Sequence, residues 1–166
     1  MSGRGLILAA PGSGSGKTTV TLGLLRALAR RGTPVRGAKS GPDYIDPRFH
    51  EAACGQPCYN LDAWAMGRKR LRALAAGGSD EILLIEGAMG LFDGAPPQGD
   101  GATADLARIL GLPVLLVIDA SHMAQSVAAL ARGFASHDPE VRVTGLIHNK
   151  LGSARHETML RKAHPP

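Results

Sequence analysis

Apolar residues along this chain fall into two alternating patterns. Short, continuous apolar runs are typical of strands buried on both faces of a sheet, and they occur at 5–10, 35–39, 82–85, 114–118 and 143–147. Between these runs, apolar residues recur at helical spacing, as Val20, Leu24 and Leu28 do in a first helix predicted from Lys17 to Arg31. Further helices are predicted at 68–76, from Thr103 as an N-cap residue, along 123–134, and from about 154 until Pro165 ends the last one.

Repeated strand–helix units predict an α/β fold in which a mostly parallel sheet is covered by helices on both faces. Ligands of such sheets bind beyond the carboxyl ends of the strands. The loops predicted at that edge are 11–16, 40–62, 87–101 and 148–152. Residues 40–66 are predicted to be mostly loop, and a loop of this length in a compact domain is more often functional than not.

The length of 166 residues suggests one domain, 1–166. The apolar fraction of 44% is typical of a globular protein. No apolar run approaches the roughly 18 residues that suggest a membrane span. The start of the chain is too soon followed by a glycine-rich loop to be a signal peptide. The sequence therefore predicts a cytoplasmic protein that does not bind a membrane.

The net charge of +5 suits an anionic ligand and equally suits nucleic acid. Aromatic residues make up 4% of the chain, too few for the stacking surface that single-strand binders use, so nucleic acid is disfavoured. Cys54 and Cys58 do not form a four-ligand metal set and are predicted to be free thiols. The six histidines are interpreted as surface or packing residues, and none is assigned a role.

A glycine-rich loop at 10–19, Ala-Pro-Gly-Ser-Gly-Ser-Gly-Lys-Thr-Thr, lies between the first strand and the first helix. Its backbone N–H groups and the helix N-terminus favour phosphate binding. Lys17 is placed to reach the β- and γ-phosphates, and Thr18 is placed to bind Mg²⁺. Pro11 stands where the usual motif has glycine, which predicts a differently shaped first turn. The other residues predicted to contact the nucleotide are Gly12, Ser13, Gly14, Ser15, Gly16 and Thr19. The fold is therefore predicted to be that of a phosphate-loop NTPase.

Carboxylates follow several of the predicted strands. Asp43 and Asp46 lie in Lys-Ser-Gly-Pro-Asp-Tyr-Ile-Asp-Pro (39–47), where they could hold Mg²⁺, bind a substrate or simply form turns. Glu86 ends the third strand, a position at which phosphate-loop enzymes contact Mg²⁺ or its water shell. Asp119 ends the fourth strand and suits either a ligand contact or the N-cap of the next helix.

The segments with this chemistry occur in one order over nearly the whole chain: 10–19, 39–50, 60–62, 86–94, 103–107 and 148–156. Together they resemble the cobyrinic (or hydrogenobyrinic) acid a,c-diamide synthases. The segments 39–50 and 86–94 are more specific than the phosphate loop. The fold of that family resembles dethiobiotin synthetase. Its members amidate the c and then the a acetate side chain of a corrinoid, through an acyl phosphate, with ATP and with ammonia from glutamine.

The resemblance implies roles for individual residues. Residues 12–18 would hold the ATP phosphates, with Lys17 acting in catalysis. Asn149 stands where related enzymes contact the nucleotide base. Mg²⁺ would be bound by Thr18 and Glu86, with Asp43 as a further candidate. The pocket for the activated side chain would be lined by Asp43, Tyr44, Asp46 and Asp93, of which Asp46 and Asp93 would also act in catalysis.

Members of that family are longer and carry a carboxy-terminal glutaminase domain with a cysteine nucleophile. The resemblance therefore implies that 1–166 is a truncated ATP-binding amidoligase domain without its glutaminase. Ammonia would come from such a domain or from free ammonium. The sequence leaves open which corrinoid or tetrapyrrole is the substrate and what the oligomeric state is, a homodimer included.

Three other functions share parts of the pattern. A dethiobiotin-synthetase-like carboxylase has the same fold, but the 39–47 loop argues against it. A partition or switch ATPase carries an extra lysine early in the loop, where this chain has Gly12. A small-molecule kinase would need an arginine-rich lid, and none is found in the sequence.

Overall fold

The computed structural model describes residues 4–78 and 80–164. Its strands are β1 (Gly5–Ala9), β2 (Val35–Ser40), β3 (Tyr59–Leu61), β4 (Ile82–Glu86), β5 (Val114–Asp119) and β6 (Val143–Asn149). Its helices are α1 (Lys17–Arg30), α2 (Asp46–Cys54), α3 (Arg68–Ala75), α4 (Thr103–Leu110), α5 (Ser126–Ser136) and α6 (Ala154–Ala163).

The six strands form one sheet in the order β3-β2-β4-β1-β5-β6. Every pairing between neighbouring strands is parallel. β1 lies between β4 and β5, so the loop that follows it emerges near the middle of the carboxyl edge. The predicted α/β architecture with a parallel sheet is confirmed.

Both faces of the sheet are covered, because successive residues of a strand point to opposite faces. In β1, Leu8 packs in a cluster with Leu25 of α1, whereas Ile7 and Ala9 pack in a larger cluster with Leu106 of α4. Helices α1 and α2 contribute to the smaller cluster, and α3 to α6 contribute to the larger one. The continuous apolar runs of the sequence thus correspond to strands buried on both faces.

The prediction that 40–66 is mostly loop missed two elements. This segment contains α2 and β3, and β3 pairs with β2 at the edge of the sheet. Helix α2 carries Pro47 in its first turn, where proline is well tolerated, and is followed by Gly55 in a left-handed conformation. The sheet consequently has six strands instead of the five predicted.

Two helix starts also differ from the prediction. The N-cap of α4 is Ala102, whose N–H is bound by the Asp105 carboxylate at 3.0 Å. Thr103 is therefore the first helical residue, and its hydroxyl faces Ala88 instead of capping the helix. Helix α5 begins at Ser126, because a turn closed by the hydrogen bond from Met123 N to Ala120 O comes first. The predicted stop at Pro165 lies outside the described residues.

Over the described ranges, no helix combines the length and the apolar character needed to cross a membrane.

Candidate nucleotide site

The loop between β1 and α1 has the backbone shape of a phosphate-binding loop. Gly14 and Gly16 adopt left-handed conformations with φ of 80° and 90°. The Ser15 hydroxyl donates to the Gly12 carbonyl at 3.1 Å, which closes the turn after Pro11. Helix α1 begins at Lys17, so its N-terminal N–H groups face the loop. A cavity of about 380 Å³ opens here, lined by Ser13, Gly14, Gly16, Lys17, Thr18, Thr19, Lys39, Glu86, Gly87 and Met89.

Lys17 is buried and bonds to main-chain oxygens. Its ammonium group donates to the Met89 carbonyl at 2.6 Å and lies 3.4 Å from the Gly12 carbonyl. Met89 has a φ of 49°, which is uncommon for a residue with a side chain. Burial lowers the pKa of Lys17, and the nearby Lys39 lowers it further. A cation held this way between two loops is available to an anion that enters the cavity.

Glu86, at the end of β4, is 1% exposed and accepts hydrogen bonds on both carboxylate oxygens. Its Oε1 accepts from the Thr18 hydroxyl at 2.6 Å and from the Lys39 ammonium at 2.9 Å. Its Oε2 lies 2.7 Å from Nε2 of His50. Burial by itself would raise the pKa of Glu86, but the hydrogen bonds from His50, Thr18 and Lys39 lower it to about 2. Glu86 is therefore a carboxylate at neutral pH.

Lys39, near the end of β2, joins Glu86 to the loop that follows β2. Its ammonium group is 2.6 Å from Asp46 Oδ2 and 3.8 Å from Asp43 Oδ2. Burial would lower the pKa of Lys39, but the hydrogen bonds to Asp46 and Glu86 raise it overall. Strands β2 and β4 are neighbours with Lys39 level with Glu86, so the two side chains leave the same edge of the sheet.

The remaining predicted substrate residues lie in the loops that follow β2 and β4. Asp43 uses Oδ1 to accept from the backbone N–H groups of Ile45 and Asp46, so one of its oxygens forms a turn, as one of the alternatives supposed. Tyr44 is 93% exposed. Asp93 accepts from Gly90 N–H at 2.9 Å, which folds the 87–94 loop.

Residues from the end of β6 contact the phosphate loop on its other side. The Asn149 amide donates to the Ser15 carbonyl at 2.9 Å, and a Cβ atom on Gly16 would lie only 2.2 Å from that amide nitrogen. Lys150 donates to the Gly14 carbonyl and pairs with Asp119. Asp119 is therefore not the N-cap of α5. Its carboxylate pairs with Lys150 and accepts from Ser121, and these contacts lower its pKa.

A family model described as CbiA: CobQ/CobB/MinD/ParA nucleotide binding domain matches residues 6–164. The chain belongs to this family. As a member of the CobQ/CobB/MinD/ParA nucleotide-binding domains, it is a nucleotide-binding phosphate-loop domain.

The curated relatives that match this chain are much longer than it is. Hydrogenobyrinate a,c-diamide synthase of Mesorhizobium japonicum is 57% identical over 163 residues, and that of Rhizobium meliloti is 58% identical over 161 residues. Each match covers 96% of this chain but 37% of the relative. The motif-based resemblance to diamide synthases is thus confirmed, for about a third of the relatives' length.

Solved structures show the same fold. The signal recognition particle 54 kDa protein from Aeropyrum pernix, in complex with GDP, aligns with a TM-score of 0.59 at 21% identity, over 98% of this chain and 39% of that one. Chloroplast FtsY from Physcomitrella patens aligns with a TM-score of 0.57 at 17% identity, over 98% of this chain and 53% of that one. The phosphate-loop fold predicted from the sequence is confirmed.

The sequence analysis assigned no role to two residues that contact Glu86, namely Lys39 and His50. Lys39 belonged to the 39–47 motif but received no role, although a lysine at the end of a buried strand was a usable signal. His50 was interpreted as a surface or packing residue; it is buried, as a packing residue is, but its ring also contacts Glu86. The i, i+4 spacing of Asp46 and His50 would have indicated a shared helix face if α2 had been predicted.

Both cysteines are free thiols, as predicted. Cys54 is the last residue of α2. Cys58 lies in the short connection between α2 and β3, directly before β3. The structure brings Cys58 Sγ to 3.4 Å from Nδ1 of His50, a cysteine–histidine pair that the sequence did not reveal. Burial raises the pKa of Cys58 to about 12, so the thiol stays protonated.

Proposed function

We propose that this chain is the ATP-binding, carboxylate-activating part of a hydrogenobyrinate or cobyrinate a,c-diamide synthase. Relatives of that name share 57–58% identity with it over 96% of its length. The observation that carries the proposal is the charged cluster of Lys39, Asp46 and Glu86 at the mouth of the phosphate loop. Such a cluster combines a nucleotide site with groups that can orient a second, carboxylate-bearing substrate.

The nucleotide is proposed to be ATP with Mg²⁺. The phosphates would lie along the N–H groups of 12–18, with Lys17 moving from the Met89 carbonyl to the γ-phosphate. The Thr18 hydroxyl and the Glu86 carboxylate, 2.6 Å apart, supply the hard oxygen donors that Mg²⁺ prefers. Among the described residues no three His, Cys, Asp or Glu side chains cluster as a metal site, so the phosphates and water would complete the coordination. When bound, Mg²⁺ would neutralise charge on the phosphate oxygens.

In the proposed reaction, an acetate carboxylate of the corrinoid attacks the γ-phosphorus, and ADP leaves with the electrons of the broken P–O bond. Ammonia then attacks the acyl carbon of the acyl phosphate, inorganic phosphate leaves with the electrons of the broken C–O bond, and one proton of the ammonia passes to it. Lys17 would balance charge on the transferred group, and Asp46, Tyr44 and Asp93 would hold the side chain. Such transfers depend mainly on positioning and electrostatics. Asn149 is proposed to contact the base through Oδ1 or the second hydrogen of its amide nitrogen, while the first is donated to the Ser15 carbonyl.

The ammonia is proposed to come from a glutaminase domain or from free ammonium. Glutamine hydrolysis needs an activated nucleophile, usually a cysteine thiolate beside a base. Cys58 lies beside His50, but burial raises its pKa to about 12. The other nitrogen of His50 is taken by Glu86. This pair is therefore not proposed as a glutaminase site.

The test is to incubate the 166-residue chain with ATP, Mg²⁺ and hydrogenobyrinate or cobyrinate, with either ammonium or glutamine as nitrogen donor. Amide products are measured by mass spectrometry. We expect product with ammonium and none with glutamine. A dethiobiotin-type carboxylase would instead consume bicarbonate with a diamine, and a switch ATPase would release phosphate without any amide.

The Lys17→Ala variant serves as the active-site control. Removing one donor to the transferred group should lower the amidation rate by roughly 10²–10³. Circular dichroism should show an unchanged fold, because the hydrogen bonds of the ammonium group go to loop carbonyls. A variant as active as the wild type would contradict the ATP assignment.

A further inference from the structure

The two oxygens of Glu86 have different partners. Oε1 faces the phosphate loop through Thr18 and also accepts from Lys39. Oε2 faces away from the loop and lies 2.7 Å from Nε2 of His50. The His50 side chain is 0% exposed and that of Glu86 is 1% exposed. Without His50, the buried and charged Oε2 would lose this hydrogen-bond partner.

The far side of the His50 ring determines which nitrogen carries the hydrogen. Cys58 Sγ lies 3.4 Å from Nδ1. Burial raises the pKa of Cys58 to about 12, so the group is a thiol and can donate its hydrogen to Nδ1. Nδ1 then acts as the acceptor, and Nε2 carries the hydrogen that it donates to Glu86. Donation from Cys58 through His50 and donation from Thr18 therefore converge on the two oxygens of Glu86.

The sheet makes room for this ring at one position. A Cβ atom on Gly37 of β2 would lie 2.9 Å from Cβ and 3.3 Å from Cγ of His50. Any larger residue at 37 would push the His50 ring out of its place between β2 and Glu86. Placement of the ring thus depends on α2, β2 and the residue before β3 together.

We propose that His50 is a positioning residue that orients Glu86, so that Oε1 faces Thr18 and the site proposed for Mg²⁺. Outer partners of metal-binding groups commonly fix the orientation of the inner ones, and their loss typically lowers metal affinity or activity by about 10- to 100-fold. The inference rests on the proposed function, because it takes Glu86 to act on the nucleotide's Mg²⁺.

The experiment compares His50→Gln with His50→Asn in the 166-residue chain. The Gln amide nitrogen can take the place of Nε2 and donate to Glu86, whereas the shorter Asn places its nitrogen near Nδ1. Binding of a fluorescent ATP analogue is titrated at increasing MgCl₂ and also in EDTA. We expect His50→Asn to raise the Mg²⁺ concentration for half-maximal binding by about tenfold or more. His50→Gln should stay within about threefold of the wild type, and affinity in EDTA should be equal in all three.

Cys58 provides a second test that leaves the imidazole in place. Cys58→Ser keeps a hydrogen-bond donor for Nδ1, and Cys58→Ala removes it. We expect Cys58→Ala to raise the Mg²⁺ requirement, whereas Cys58→Ser should keep the requirement of the wild type. The exposed His122, in the turn before α5, gives a matched control, His122→Asn, that should bind like the wild type.

Equal Mg²⁺ requirements in His50→Asn and His50→Gln, with both folded by circular dichroism, would overturn the inference. So would a loss of affinity in His50→Asn that is as large in EDTA as in Mg²⁺. If His50→Asn does not fold, equal requirements in Cys58→Ala and Cys58→Ser would overturn it. Wild-type binding that does not depend on Mg²⁺ would instead contradict the proposed role of Glu86 itself.

Discussion

Lys39 and Glu86 form a buried ion pair whose desolvation is unfavourable and whose charges line the candidate nucleotide site. Each is buried, and taking either charge out of water costs several kcal/mol unless a partner compensates. Here the Lys39 ammonium bonds to Glu86 and Asp46, and Glu86 also accepts from Thr18 and His50. Compared with apolar residues of similar volume, a cluster of this kind adds little stability, but it fixes several carboxylate and ammonium groups in place before a ligand arrives.

Stability should therefore depend on pH through Glu86. Its native pKa is about 2, below the ordinary 4.5, so the ionised group stabilises the fold above about pH 4.5. That contribution is lost as the pH falls from about 4.5 toward 2, and it amounts to about 3 kcal/mol at about 1.4 kcal/mol per pKa unit. The free energy of unfolding, measured with urea, should fall across this window more in the wild type than in Glu86→Gln, which lacks the ionisable group. Parallel pH profiles for the two proteins would contradict the assigned shift.

At the scale of elements, one arginine of the sheet binds the end of α3. Arg36 of β2 donates through Nη1 and Nη2 to the carbonyls of Leu74, Ala75 and Ala76, and through Nε to Glu81. These carbonyls end α3 and would otherwise lack helical partners. The guanidinium group therefore stabilises both the end of α3 and the start of β4.

Replacing Arg36 with Met should destabilise the domain. The variant keeps an apolar stem but leaves the carbonyls and Glu81 without their charged partner, for an expected loss of about 2–3 kcal/mol. Urea unfolding gives the free energy, and Arg70→Met on the exposed face of α3 is the matched control, expected within about 0.5 kcal/mol of the wild type. A loss below about 1 kcal/mol in Arg36→Met would show that water replaces these bonds.

At the scale of the whole molecule, the nucleotide site exists because β1 is central. The phosphate loop leaves the sheet between β4, which brings Glu86, and β5, beyond which β6 brings Asn149. The loop therefore receives contacts from both halves of the sheet, through Lys17 to Met89 on one side and Asn149 to Ser15 on the other. Binding of a ligand in the loop would therefore stabilise elements on both sides of β1.

MgATP should consequently stabilise the whole domain against unfolding. A ligand that binds only the folded state contributes about 2.7 kcal/mol at a concentration about 100 times its Kd. We expect the thermal midpoint to rise with MgATP in the wild type and to stay nearly constant in Lys17→Ala. A matched rise in the variant would mean that the nucleotide binds elsewhere.

The sequence by itself determined the features that depend on neighbours along the chain. Continuous apolar runs indicated β1, β4 and β5, and glycine spacing before Lys17 indicated the phosphate loop, because these patterns reflect local backbone geometry and burial on both faces. The position of Glu86 at the end of an apolar run, as the last residue of β4, was equally local. Its oxygen contacts with Thr18 and Lys39 place it beside that loop, as the pattern suggested.

Tertiary structure decided what depends on partners distant in sequence. The short strand β3 has no long apolar run and exists because it pairs with β2, and α2 was hidden in a polar segment that looked like loop. The role of Lys39 depends on Glu86, and that of His50 depends on Glu86, Cys58 and the space left by Gly37. A buried charge is stable only beside its partner, and the parallel sheet is what brings the ends of β2 and β4 together.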